Sequence, residues 1–129
     1  MKITVDKNKF NINAEQFLRR NGYAFIVDRR RGKESFVRRM GSGHYPRFHI
    51  YIKREDNKII FDLHLDQKQA SYKGSHMHNA EYDGEVVETE MQRIKNLIAH
   101  EYKNTTKIKE KEPEKEDSLA SRFLKTFLG

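Results

Sequence analysis

Residues 47–66 read RFHIYIKREDNKIIFDLHLD. Phe48, Ile50 and Ile52 alternate with polar residues, and Phe61, Leu63 and Leu65 do the same beyond Asp56-Asn57. A period of two with a polar dipeptide between the runs predicts two antiparallel strands joined by a tight turn. With Asp56 and Asn57 as the turn, Phe48 should face Leu65, Ile50 should face Leu63, and Ile52 should face Phe61. A one-residue slip would turn one strand's apolar set to the opposite face and break all three pairs. On the other face Arg47 then meets Asp66, His49 meets His64, Tyr51 meets Asp62, and Lys53 meets Ile60. A two-residue slip would keep the faces and change only the partners.

The neighbouring segments fit around this hairpin. Lys2–Val5 reads as a short strand. Asn13 is an N-cap with Gln16 three residues on, opening the helix AEQFLRR, and Gly22 is placed to end it in a left-handed turn. Tyr23–Val27 is aromatic and β-branched, and SFVRRM makes a second strand across the glycine turn in DRRRGKE. GSGHYP, residues 41–46, is a loop. Residues 67–84 form a long polar connection, of the kind that is functional or mobile in a compact domain. From Glu85 to Tyr102, Val87, Met91, Ile94 and Ile98 recur at helical spacing, and Val86 and Leu97 widen the stripe. The expected fold is α+β: an antiparallel sheet of three to five strands with two helices on one face. The domain should span residues 1–102. A charged linker, disordered or a frayed helix, should occupy 103–117, with an amphipathic helical peptide, SLASRFLKTFLG, at 118–129.

Apolar residues make up 36% of the 129 and charged residues 35%, which limits the core to a modest size. There is no cysteine, so disulfides and thiolate metal sites are excluded and nothing ties the chain to an oxidising compartment. No apolar run approaches the roughly 20 residues of a transmembrane helix, and MKITVDKNKF lacks a signal-peptide h-region. The default expectation is a cytoplasmic protein with no membrane contact. The net charge of +7 is uneven. Residues 1–55 carry 14 Lys/Arg against 5 Asp/Glu, a balance of +9, whereas residues 56–102 carry 5 against 9, a balance of −4. The densest block, RRRGKESFVRR, places Arg29, Arg30, Arg31, Lys33, Arg38 and Arg39 on one hairpin, where released counterions would favour a nucleic-acid backbone. A solvated basic surface is the alternative.

With both helices on the Phe48 face, the other face should display Arg47, His49, Tyr51, Lys53, Asp62, His64 and Asp66. His49 and His64 are candidates for general acid–base chemistry. No cofactor is expected, although with Asp66, and with His76 and His78 from the long connection, the same pair could hold a divalent metal. The spacing matches no zinc-finger or metalloprotease pattern, and a hydrogen-bonded polar sheet face accounts for the histidines equally well. Aromatic rings among cations also suit stacking on bases.

Two resemblances bear on function. FLRRNGY, followed by strands and then GSGH and FHIYI, resembles the opening of HicA-type toxins over residues 14–52. Those are RNA-cleaving proteins with a double-stranded-RNA-binding-like fold and a reactive histidine near a Gly/Ser turn. The resemblance implies a nucleic-acid-facing module, with His44 or His49 at the reactive position. The chain departs from it in the Tyr-Pro after His44, in its length, and in the loop bearing His76 and His78. At the other end, SRFLKTFL resembles the peptide by which proteins dock on the sliding clamp PCNA. Leu124, Phe127 and Leu128 stand at the anchor positions, and Ser121 stands where that motif has glutamine. This implies a protein partner reached by an apolar plug on a tether. The expected function is nucleic-acid association with recruitment through the C-terminal peptide. A histidine- or metal-dependent nuclease and a protein-binding regulator using the open sheet face are the alternatives.

Overall fold

A computed structural model describes residues 1–28, 32–67 and 76–111, with backbone alone at 28 and over 76–83. In chain order these form β1 (Lys2–Asp6), a 3₁₀ turn (Lys7–Lys9), α1 (Ala14–Arg20), β2 (Ala24–Asp28), β3 (Lys33–Arg39), β4 (Arg47–Glu55), β5 (Lys58–Asp66) and α2 (His76–Lys111). The strands make one five-stranded antiparallel sheet in the order β1-β5-β4-β3-β2. The fold is α+β, as the sequence predicts.

The central hairpin adopts the predicted register. Phe48 pairs with Leu65, Ile50 with Leu63 and Ile52 with Phe61, and Glu55 and Lys58 flank the Asp56-Asn57 turn. These side chains join Ile3, Val5, Phe36 and Ile59 on one sheet face, where Phe17 and Leu18 of α1 and Val87, Ile94 and Ile98 of α2 cover them. Phe17 stacks on Phe61, ring centroids 5.9 Å apart and nearly parallel. Asn13 caps α1, its side-chain oxygen accepting from the Gln16 N–H at 2.8 Å. Gly22 follows at φ +95, a left-handed conformation that costs glycine little.

α2 is longer than its apolar stripe. It begins at His76, inside the expected loop, and passes Tyr102 to reach Lys111. Its last turns are held by polar docking that hydrophobic periodicity does not register. The Tyr102 hydroxyl accepts from the Asp6 N–H at 2.8 Å, and the Thr105 hydroxyl, fully packed, accepts from the Asn11 N–H at 2.9 Å. The first part of the expected linker is thus helix seated against the 3₁₀ turn. The rest of that linker and the 118–129 peptide lie outside the described residues. No described helix is long and apolar enough to cross a membrane.

Candidate functional site on the open sheet face

Strand alternation carries the second set of side chains to the face away from the core. Lys33, Ser35, Val37 and Arg39 come from β3, Arg47, His49, Tyr51 and Lys53 from β4, and Asp62, His64 and Asp66 from β5. Across the central strands, three rings form a contiguous cluster. The centroid of Tyr51 lies 4.3 Å from His49 and 5.1 Å from His64, and the two histidines are 5.7 Å apart. Cations surround it: Lys33 Nζ sits 5.7 Å from the Tyr51 centroid, and the Arg47 guanidinium lies 4.6 Å from the Tyr45 ring.

The two histidines do different things. His49 is buried, at 5% exposure, and both ring nitrogens are engaged. Nδ1 lies 2.7 Å from Asp66 Oδ2, and Nε2 is hydrogen-bonded to Ser35 Oγ. Burial alone would raise the Asp66 carboxyl, but the His49 hydrogen bond, the His49 charge and Arg47 outweigh it and hold Asp66 below its ordinary value. As a carboxylate, Asp66 only accepts, so His49 Nδ1–H donates to it, and Nε2 shares the second hydrogen bond with the Ser35 hydroxyl. Arg47 completes the chain, its Nε 3.5 Å from Asp66 Oδ2.

The order Ser–His–Asp, with these nitrogens on these partners, is that of a hydrolytic triad. Ser35, however, is 0% exposed, so its hydroxyl cannot reach a substrate carbonyl. The chain pins β3, β4 and β5 together and fixes the His49 ring beside Tyr51. His64 is half-exposed, with Nδ1 3.8 Å from Asp62 Oδ1. Burial, with the neighbouring His49, lowers its pKa against the opposing pull of Asp62 and Asp66, so the ring is predominantly neutral near pH 7. It offers a flat, uncharged surface next to Tyr51.

The predicted site residues are distributed unevenly. Lys33 and Arg39 lie on this face and are exposed, whereas Arg38 points to the helix side and binds the Glu90 carboxylate at 3.1 Å. His44 is exposed in the β3–β4 loop. His76 and His78 fall in the first turn of α2 rather than in a loop, and positions two apart on a helix do not share a face. Among the described residues, no three His, Asp or Glu side chains converge to hold a metal, and both His49 nitrogens are already committed. Arg29, Arg30 and Arg31 lie outside the described residues, as do Ser121, Leu124, Phe127 and Leu128.

The sequence reading missed two features. Ser35 meets Tyr51 only through the β3–β4 register, which a seven-residue loop leaves open. Glu90 is buried at 3% exposure and accepts from Tyr23 Oη at 2.8 Å, from Arg38 and from Arg93. Its signal was present: Glu90 falls on the apolar stripe between Val87 and Ile94. The Glu90 side of the fold also borders a cavity of about 370 Å³ lined by Arg38, Met40, Phe48, Val86 and Arg93. No family model, curated protein or solved structure matches the chain.

The contrast between the histidines is measurable. His49→Ala should destabilise the fold by about 2 kcal/mol, because the buried Ser35 hydroxyl and the partly buried Asp66 carboxylate both lose their hydrogen-bond partner. His64→Ala should stay within about 0.5 kcal/mol of wild type, as half-exposed surface residues do. Urea unfolding of both variants at neutral pH reads the difference.

Proposed function

We propose that the chain binds single-stranded nucleic acid across its open sheet face. The observation that carries this is the Tyr51–His64 ring pair on the two central strands, ringed by Lys33, Arg39, Arg47 and Lys53. Flat rings stack on unpaired bases whatever their sequence, and cations spaced around them meet the phosphates. The acids on β5 do not oppose this strongly. Asp66 is engaged by His49 and Arg47, and Asp62 lies 3.7 Å from the N-terminal ammonium. Arg29, Arg30 and Arg31, outside the described residues, precede Lys33 in sequence and add to the basic charge of this segment. The C-terminal peptide, with Ser121, Leu124, Phe127 and Leu128, serves in this account as a separate contact to a protein partner of the sliding-clamp kind. Tethering there would raise the local concentration of the domain on nucleic acid.

Fluorescence-anisotropy titration of a labelled single-stranded oligonucleotide tests the binding. With about four phosphate contacts, log K should fall with log salt at a slope near −2.8, roughly a 50-fold loss between 50 and 200 mM. A chain ending at Asp117 should give the same curve, since the terminal peptide addresses a protein. Binding that is absent at 50 mM salt, or insensitive to salt, contradicts the proposal.

A further inference from the structure

The two edges of the sheet are unlike. The β1 edge borders α2: Lys2, Ile3 and Thr4 share a groove with Lys95, Ile98 and Ala99, and the Asp6 N–H is taken by Tyr102. Among the described residues, β2 pairs only with β3, so its outer row of backbone groups is unmatched by any strand. Ala24, Phe25, Ile26 and Val27 offer none of the charges or prolines that usually blunt an edge. Phe25 is 49% exposed and Val27 71%, and both project from the helix side of the sheet beyond the covered core.

From this edge we infer that two copies of the chain pair through antiparallel β2 strands about a two-fold axis at Ile26. In that register Phe25 of each copy lies across from Val27 of the other, so the exposed apolar side chains of the edge cover each other twice. Ile26 meets Ile26 on the open face. A two-fold axis normal to the sheet produces the antiparallel arrangement and keeps the two open faces on the same side. A two-fold pairing of β2 with itself uses the β2 edge of both copies, so the assembly closes at two copies. The open faces become one continuous surface of twice the width. The pairing does not depend on the nucleic-acid reading, since it rests on β2 alone.

Sedimentation equilibrium of the full chain without nucleic acid, from about 2 to 200 µM, decides it, a range that captures micromolar self-association. Twice the single-chain mass is expected at the upper end. Val27→Lys should restore the single-chain mass with an unchanged circular-dichroism spectrum, because Val27 contributes little to the core. Phe25→Glu serves as a second variant, and Ile108→Lys, an exposed apolar position on α2, should still pair. A single-chain mass for wild type throughout the range overturns the inference. So does a doubled mass that survives both β2 variants, or an assembly larger than two.

Discussion

Glu90→Ala should lower the unfolding free energy by about 3 kcal/mol, moving the melting midpoint down by roughly 12 °C. Glu90 accepts from Tyr23, Arg38 and Arg93, and Arg93 also reaches the Asn21 carbonyl at 3.1 Å. The carboxylate therefore ties α2 to β3 and to the turn after α1. Burial, and then the adjacent carboxylate, push the Tyr23 phenol well above its ordinary value, so it stays a donor at any working pH. Removing the acceptor strands that buried hydroxyl. The two guanidiniums retain partial access to water, which holds the loss to the lower end of the range for broken buried pairs.

Glu90→Gln should cost less, about 1–2 kcal/mol, since an amide oxygen still accepts. Burial raises the Glu90 carboxyl, but its hydrogen bonds from Arg93 and Tyr23 and the charges of Arg93 and Arg38 prevail, leaving it below its ordinary 4.5. A carboxyl depressed on folding stabilises fully above that ordinary value and loses the contribution as pH falls through its folded value. The gap between wild type and Glu90→Gln should thus be constant above about pH 5 and shrink below it. Asp66, also depressed, adds to the same acid lability. Guanidinium unfolding from pH 7 to pH 3 follows both effects.

Much of the fold was legible because its decisive segments are local and two-sided. The 47–66 hairpin carries its own register, since three apolar pairs and a two-residue turn admit no one-residue slip. Asn13, Gln16 and Gly22 likewise bound α1 by chemistry within one turn of chain. What escaped depends on contacts far apart in sequence. The end of α2 rests on Thr105 meeting Asn11, and the burial of His49 rests on Ser35 arriving from β3. Alternation placed His49 and His64 on one face and made them look equivalent. Only the position of β3 makes one a sealed link and the other an available surface. Arg38 and Arg39 are adjacent in a basic block, yet the pleat sends one to Glu90 and leaves the other on the open face. Charge density along a strand does not separate the two; the sheet does.

We propose that the open face, rather than basicity in general, holds nucleic acid. Lys33→Glu with Arg39→Glu reverses two exposed cations on that face, and Lys95→Glu with Lys107→Glu reverses two exposed cations on α2. Both pairs change the net charge by the same amount, so a non-specific attraction would weaken equally in each. The expected result is an asymmetric one. The β3 pair should lose about 100-fold in affinity for a single-stranded oligonucleotide near 100 mM salt, with a salt slope smaller by roughly two contacts. The α2 pair should lose only a few-fold. Anisotropy titration of wild type and the two double variants, side by side, makes this comparison. A β3 pair far weaker than the α2 pair places the site on the open face, and equal losses in the two would contradict it.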